Sequence, residues 1–135
     1  WDCSNHPNNI LKRRLRLESV QNAVEQAISV AAGISENHRP YHQVPWFWSD
    51  QYNLKLQIAG ISQNHDQYVV RGNMEEEKFT VFYLQKKKII AVDTINNLKE
   101  FLNGKKLIAM GAEIPPEILQ NKDTDLKEWI KQNTD

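Results

Sequence analysis

Aromatic side chains that could stack on a planar ligand are concentrated in one short stretch of this chain. Trp46, Phe47 and Trp48 are adjacent, and hydrogen-bonding side chains follow at residues 49–51. Three consecutive aromatic side chains point in different directions along an extended segment, so we expect at least one to face something other than the core. The aromatic segment, residues 44–52, therefore predicts a platform for a planar ligand or a protein partner. The alternative is an ordinary strand whose tryptophans pack beneath a neighbouring element.

A basic cluster precedes this segment in the chain. Lys12, Arg13 and Arg14 are consecutive, and Arg16 follows after one leucine. Runs of like charge usually face water, which makes a solvated approach to the next helix one interpretation. The other interpretation is a docking patch for an acidic partner.

The chain lacks the residues that most kinds of enzymatic catalysis need. The chain has no glycine-rich phosphate loop and no Cys-x-x-Cys pair, and its four histidines are dispersed. Those features exclude the usual dinucleotide site and a redox disulfide. No serine lies in a nucleophile-elbow setting, and His38 and His42 have no spaced Cys, Asp or Glu set around them. We therefore predict no catalytic residue and no metal site.

Composition favours a single soluble domain. The 135 residues carry 17 basic and 17 acidic side chains, with a pI near 7.1. This balance provides no global field for nucleic acid or an anionic membrane, so an oligonucleotide-stacking sheet is disfavoured. No apolar run approaches the roughly 20 residues that cross a bilayer. The lone cysteine, Cys3, excludes an internal disulfide and fits a reducing compartment, so we predict a cytoplasmic protein.

Hydrophobic periodicity divides the chain into helical and extended stretches. Residues 18–34 show a 3.6-residue period, with an apolar face of alanine, valine and isoleucine that we expect to be buried. After the aromatic segment, alternation and β-branched enrichment predict strands. Helical spacing then returns at residues 98–107, where Gly104 is expected to be a weak point and Gly111 to close the helix, and again near residues 117–119 and 126–130. The predicted apolar face comprises Val20, Ala23, Val24, Ala27, Ile28 and Ala31, and the predicted strands are 54–58, 68–71, 79–84 and 89–95. This order predicts an α+β fold: an antiparallel β meander with C-terminal helices, preceded by an amphipathic helix.

Several motifs in this order resemble the C-terminal part of the FAD-dependent, NAD(P)H-using ferredoxin reductases, the group that contains putidaredoxin and rubredoxin reductases. The resemblance runs from Trp1 to about Leu107 and fades beyond it. It rests on Asp2-Cys3, on Arg16-Leu17-Glu18-Ser19-Val20-Gln21-Asn22-Ala23, on the aromatic segment, on Val69-Val70-Arg71-Gly72, and on Phe82-Tyr83-Leu84 followed by Ala91-Val92-Asp93.

This resemblance implies two domains and a cofactor site. Residues 1–38 would be the C-terminal tail of an FAD-binding domain, a loop plus a leftover helix, and residues 39–135 the C-terminal reductase or interface domain. Asp2 would accept a hydrogen bond from the flavin's ribityl-phosphate chain, although Trp1 stands where the family has glycine. The Val20 backbone would bond a flavin carbonyl at the positive end of its helix. Trp48 and Trp46 match tryptophans that lie beside the flavin and face the docked partner.

The resemblance also implies partners. Family reductases accept hydride at the flavin and pass single electrons to a small acidic ferredoxin, which Lys12, Arg13 and Arg14 would steer. Both nucleotide-binding folds would lie upstream of Asp2. We therefore expect this fragment to be inactive alone, to retain no FAD, and to meet NAD(P)H only through missing domains; its start without methionine fits that expectation. The helix at 18–34, having lost its sheet, could form a homodimer. The alternative function is a free-standing interaction module that uses residues 44–52 without catalysis.

Overall fold

The computed structural model describes residues 2–134. Trp1, expected to stand where the family has glycine, lies outside these residues, as does Asp135 at the end of the predicted second domain. The chain divides into two compact units, Trp1–Phe47 and Trp48–Asp135. The predicted boundary between residues 38 and 39 concerns the family's domains and stays a prediction. In chain order the elements are β1 (His6–Asn8), β2 (Arg13–Leu15), α1 (Val20–Ile34), β3 (Trp46–Gln51), β4 (Leu54–Gly60), β5 (Gln67–Asn73), β6 (Lys78–Gln85), β7 (Lys88–Ile95), α2 (Leu98–Met110), α3 (Pro116–Gln120) and α4 (Leu126–Gln132).

The first unit opens with a short antiparallel hairpin of β1 and β2, in which His6 pairs with Leu15. The Asn8 side-chain oxygen accepts hydrogen bonds from the backbone N–H groups of Ile10 and Leu11, at 3.1 and 2.9 Å. Lys12, with a φ of 52°, adopts the left-handed conformation that reverses the chain. The sequence pattern did not predict this hairpin, because three-residue strands with Pro7 in one of them carry no detectable alternation.

Helix α1 is confirmed, but its buried face is not the predicted one. Ser19 caps the helix by accepting a hydrogen bond from the Asn22 N–H at 3.2 Å, so α1 begins at Val20. The predicted apolar face lies at the surface of the single chain, with Val20, Val24 and Ile28 exposed by 62%, 52% and 53%. The buried side chains of α1 are Gln21, Asn22 and Gln26. Polar side chains are inside because residues 2–17 and the start of β3 offer them hydrogen-bond partners.

The second unit contains the antiparallel sheet of the predicted α+β fold. Its strand order is β3-β4-β7-β6-β5. Strands β5, β6 and β7 form the meander, whereas β4 pairs with β7, so that Ile58 and Val81 flank Asp93 from opposite sides. The link between β4 and β5 therefore runs from the middle of the sheet to its edge, a connection that the sequence pattern did not predict.

Helix α2 packs closely against β7 and β4. At Gly104 an added Cβ would lie 2.5 Å from Val92 Cγ1, so only glycine permits this approach. Gly104 was expected to be a weak point of the helix; the structure shows that it lets α2 pack closely against Val92. The core beneath α2 is apolar and includes Phe82, Leu84, Ile89, Val92, Leu107 and Ile108. Gly111 ends α2, as predicted, and adopts the left-handed conformation.

A buried arginine fixes the chain that follows α2. Arg71, on β5, is 7% exposed, and its guanidinium lies 3.5 Å from the Glu100 carboxylate. It also donates to the carbonyl oxygens of Leu119 (3.1 Å), Thr124 (2.6 Å), Lys122 (3.3 Å) and Asn121. These bonds satisfy carbonyl groups at and after the end of α3. None of the helices in residues 2–134 is long and apolar enough to span a membrane.

Candidate functional site

The N-terminus of α1 offers an unused backbone donor. Val20 is the first helical residue, and within residues 2–134 its N–H meets no acceptor, whereas Ser19 Oγ receives the Asn22 N–H. Such a terminus carries a partial positive charge from the helix dipole. Because the Val20 side chain is 62% exposed, the edge of a ligand can reach this end of the helix.

Asp2 is held at the same helix end. Its Oδ1 atom accepts hydrogen bonds from the Ser19 backbone N–H at 3.1 Å and from Asn22 Nδ2 at 2.9 Å. No donor among the described residues meets its second carboxylate oxygen. Asp2 therefore uses one oxygen to bind the helix, and its other oxygen can still accept a hydrogen bond.

Asn22 is the centre of this arrangement. It is fully buried, and Nδ2 also donates to the Leu17 carbonyl at 2.9 Å and to the Asp2 carbonyl at 3.2 Å. Its Oδ1 accepts from Gln26 Nε2 at 2.7 Å. The sequence analysis did not select Asn22 or Gln26. The available signal was that the two residues are one helical turn apart on the side opposite the apolar stripe.

Trp46 reaches α1 through its backbone. The Trp46 N–H donates to Gln21 Oε1 at 3.3 Å, and Gln21 is in the first turn of the helix. Its ring is half-buried. Three of the four predicted cofactor residues, Asp2, Val20 and Trp46, thus meet at one end of α1 within the first unit.

The fourth residue, Trp48, belongs to the second unit. It is 47% exposed. The aromatic segment therefore keeps a large indole surface outside the protein interior. Tyr52, in the turn after β3, is fully exposed.

The basic cluster lies on the hairpin of the first unit. Lys12 is exposed at the turn, and Arg14 is exposed while its guanidinium donates to the Asn5 carbonyl. Arg13 is half-buried on β2. Arg16, beyond the hairpin, forms an exposed ion pair with Glu18 at 2.9 Å. Lys12 and Arg14 are therefore the members of the cluster that present charge most openly.

A tyrosine–aspartate pair is the most perturbed titratable cluster of the second unit. Tyr83 donates to Asp93 Oδ2 at 2.8 Å, and the His65 ring packs edge-on against Tyr83 with 5.0 Å between centroids. Burial, followed by the bond to Asp93 and its charge, raises the pKa of Tyr83 to about 12. Burial raises the pKa of Asp93, against the opposing effect of the tyrosine bond. In the part of the chain that the structure describes, no cluster of three or more His, Cys, Asp or Glu residues could hold a metal.

The fold of the second unit, a five-stranded antiparallel sheet with C-terminal helices, is that of a reductase C-terminal domain. Residues 46–130 match the family described as "Reductase C-terminal", and the chain belongs to this family.

Curated relatives are similar over nearly the whole chain. The 5,5'-dehydrodivanillate O-demethylase ferredoxin reductase subunit of Sphingobium sp. is 41% identical, covering 94% of this chain and 31% of the relative. Putidaredoxin reductase CamA of Pseudomonas putida is 39% identical, covering 96% and 31%. Among solved structures, the covalent putidaredoxin reductase–putidaredoxin complex matches with a TM-score of 0.91 at 38% identity, over 97% of this chain and 31% of the other. The chain thus spans about a third of the length of these relatives.

Proposed function

We propose that this chain is the C-terminal part of a flavoprotein reductase that passes electrons from NAD(P)H through FAD to a ferredoxin-type iron–sulfur protein. The family and the names of the relatives, which are ferredoxin reductases, support this proposal. The observation that carries it in the chain itself is the meeting of Asp2, the Val20 N–H and Trp46 at the N-terminus of α1.

Each residue at this helix end has a role that suits a flavin. Bound FAD would accept hydride and release single electrons. The free oxygen of Asp2 would accept a hydrogen bond from its ribityl-phosphate chain. The Val20 N–H and the positive end of α1 would favour negative charge at the pyrimidine edge. Trp46 and Trp48 would shield the ring and shape the path by which electrons leave.

Val20 offers a sharp test, because proline is tolerated at the first position of a helix. In the FAD-loaded reductase polypeptide that contains this chain, Val20→Pro removes the N–H without breaking α1, and the extended Ser19 backbone accommodates it. We expect FAD affinity to fall about tenfold, because the loss of one hydrogen bond of roughly 1.4 kcal/mol changes a dissociation constant by that factor. Val20→Ala is the matched control, since it removes the same exposed side chain and keeps the N–H. Equal affinity for both variants would contradict this role of Val20.

The 135-residue chain alone is proposed to bind neither cofactor and to be inactive, since the relatives are about three times longer. Purified chain should lose added FAD on gel filtration, as measured by flavin absorbance in the eluted protein. A polypeptide extended upstream to the length of the relatives should retain it. Stoichiometric flavin in the 135-residue chain would refute the proposal.

Lys12, Arg13 and Arg14 are proposed to steer an acidic ferredoxin. In the extended reductase, Lys12→Gln combined with Arg14→Gln should slow association with the ferredoxin several-fold at low ionic strength. The difference should vanish at high salt, because exposed charges are screened within about 10 Å at 0.1 M. Lys106→Gln, which removes one exposed charge on α2, is the control. If the double variant associated with the ferredoxin at the wild-type rate at low salt, docking would not use this basic cluster.

A second copy of the chain is proposed to cover the exposed face of α1 when the rest of the reductase is absent. Val20, Val24 and Ile28 expose more than half of each side chain on this face, and exposed apolar patches promote association. Val24→Glu with Ile28→Glu should abolish concentration-dependent dimerisation in sedimentation velocity, whereas Asn37→Glu should not. A wild-type chain that stays monomeric at all concentrations would exclude the homodimer.

We place the protein in the cytoplasm. Cys3 is a free, exposed thiol, and such thiols persist in reducing compartments. Fractionation of cells that express the extended reductase would test this location, and recovery in an oxidising compartment with Cys3 disulfide-bonded would contradict it.

A further inference from the structure

Gln21 is a buried glutamine in the first turn of α1. Its side chain is only 6% exposed, whereas most glutamines lie at protein surfaces. Burying an amide lowers stability unless its polar atoms are hydrogen-bonded. The Gln21 Oε1 atom accepts the Trp46 N–H at 3.3 Å. This bond gives a physical reason for a hydrogen-bond acceptor, rather than an apolar side chain, at position 21.

The chain must return to the start of α1 before Trp46 can lie there. The 15 residues of α1 span about 22 Å, and residues 35–45 cover the return without forming a helix or strand. In the second half of the helix, Ser29 Oγ donates to the Arg39 carbonyl at 2.6 Å. Segments without a hydrogen-bonded ladder open easily, so individual bonds of this kind determine their position. The bond between Trp46 and Gln21 joins the end of this segment to the first turn of the helix.

Neighbouring residues in the first turn of α1 hold different parts of the chain. Asn22 Nδ2 donates to Asp2 at 2.9 Å, and Gln21 accepts from Trp46. Successive side chains of a helix leave it about 100° apart, because one turn contains 3.6 residues. Asp2 and Trp46 are therefore attached to side chains that leave the helix in different directions, around the end that carries the Val20 N–H.

From these contacts we infer that Gln21 is a positioning residue of the proposed flavin site, which fixes Trp46 at the N-terminus of α1 without touching the cofactor. This role rests on the proposed function, since it concerns the ring that Trp46 would shield. Hydrogen bonds from supporting residues hold the side chains of a site to within about 0.5 Å. Loss of the Gln21 acceptor should let Trp46 move while Asp2 stays bound to Asn22.

The bond itself can be tested in the 135-residue chain without a cofactor. Gln21→Met keeps a side chain of similar length but removes the acceptor, whereas Gln21→Glu keeps an acceptor oxygen, and a carboxylate in the first turn suits the helix dipole. We expect the Trp46 amide to exchange about tenfold faster in Gln21→Met, the change for one hydrogen bond, and at the wild-type rate in Gln21→Glu. Gln120→Met, at an exposed position, is the control, and exchange of the Ala27 amide verifies that α1 is folded.

The consequence for the site can be measured in the extended reductase loaded with FAD. A nearby indole quenches flavin fluorescence by electron transfer, and this quenching falls steeply with distance. Gln21→Met should therefore raise the flavin fluorescence to a value between those of the wild type and Trp46→Phe. Gln21→Glu should restore the wild-type value, a rescue that a general loss of packing at position 21 would not produce.

Trp46→Phe separates the role of Gln21 from the proposed function. If Trp46→Phe left the flavin fluorescence unchanged, Trp46 would not lie beside the ring, and both proposals would fail at this residue. If Trp46→Phe raised the fluorescence but Gln21→Met did not, the proposed function would stand and the role of Gln21 would be overturned. Equal exchange of the Trp46 amide in the wild type and Gln21→Met would overturn it too, as would a folded Gln21→Glu variant that behaves like Gln21→Met.

Discussion

Asn22 and Arg71 are polar residues that organise their units from the inside. The Asn22 amide joins Asp2, Leu17 and Gln26, and the Arg71 guanidinium joins Glu100 to the carbonyl groups that follow α3. A sequence pattern assigns both residue types to the surface because they are rarely buried. Their roles arise from partners that are distant along the chain, which periodicity cannot show. At this scale the resemblance predicted Asp2, Val20 and Trp46 as cofactor residues, and it gave no indication of the side chain that holds Asp2.

Replacing Asn22 tests that positioning role. Asn22→Leu keeps the side-chain volume similar but leaves the Asp2 carboxylate, the Leu17 carbonyl and the Gln26 amide without their partner. We expect the free energy of opening α1 to fall by about 3 kcal/mol, because each unpaired buried group costs roughly 1–3 kcal/mol. Native-state hydrogen exchange of the α1 amides measures it. Asn37→Ala, at an exposed position, should change it by less than about 0.5 kcal/mol; a similarly small effect of Asn22→Leu would refute the role.

The Tyr83–Asp93 pair predicts a shift in tyrosine ionisation. Asp93→Asn removes the negative charge and keeps a hydrogen-bond acceptor beside the Tyr83 hydroxyl. The pKa of Tyr83 should fall from about 12 while staying above the ordinary 10, since burial is the largest cause of the shift and persists. Titration of the Tyr83 ring resonances measures this pKa, with the exposed Asp123→Asn as control. If Asp93→Asn left the pKa of Tyr83 unchanged, Asp93 would not be a cause of the shift.

Among the elements, α1 shows both the strength and the limit of periodicity. The 3.6-residue spacing correctly predicted a helix that ends at Ile34, because spacing depends on local geometry. It did not predict which face is buried, because that depends on what packs there: Val24 and Ile28 are exposed whereas Asn22 is inside. The β1–β2 hairpin escaped prediction for a related reason, since its turn is made by the Asn8 side chain rather than by glycine.

Gly104 provides a test of the contact between α2 and β7. In an exposed helix, alanine is more stabilising than glycine by about 1 kcal/mol. Helix propensity alone therefore predicts that Gly104→Ala stabilises the protein. We expect destabilisation of about 1–3 kcal/mol instead, because the new Cβ meets Val92 at 2.5 Å in a packed core.

A double-mutant cycle shows whether the clash is the cause. Val92→Ala opens space at the contact, so the Gly104→Ala/Val92→Ala protein should lose less stability than the sum of the two single variants in urea unfolding. Additive losses would indicate that the clash with Val92 is not responsible.

At the scale of the whole chain, the α+β class followed from the order of periodic stretches, but the strand order did not. Four of the five strands, β4 to β7, were recognised from β-branched residues or alternation, whereas β3 was interpreted as an aromatic platform with a strand as the alternative. The pairing of β4 with β7 joins residues that are distant in sequence, such as Ile58 and Asp93, which are 35 positions apart, and no local pattern encodes such a pairing. The resemblance supplied the family because it used several motifs in a fixed order, which is information that single elements lack.

Stability should depend on pH through Glu100 and Asp93. Burial raises the pKa of Glu100, although Arg71 opposes this, and burial also raises the pKa of Asp93. The folded state then holds these protons more tightly than the unfolded chain does. The free energy of unfolding should therefore fall as pH rises from the ordinary values of 3.8 and 4.5 through the raised ones.

Replacing Glu100 isolates its share of this dependence. Glu100→Gln keeps an acceptor for Arg71. It should reduce the decrease in the free energy of unfolding with rising pH, as measured by urea unfolding at a series of pH values. Asp125 acts in the opposite sense, because backbone hydrogen bonds lower its pKa, and it operates below 3.8. Glu117→Gln, at an exposed position of α3, is the control. A Glu100→Gln variant with the wild-type slope would show that Glu100 does not drive the effect.

The bonds of Arg71 set a limit on where this gene can be shortened. All four of its carbonyl acceptors lie in residues 119–124, beyond the point where the motif resemblance fades. An expression boundary drawn just after α2 would keep every strand of the sheet but remove all four carbonyl groups that accept hydrogen bonds from the Arg71 guanidinium. We therefore expect residues 119–124 to be required for soluble production of the domain.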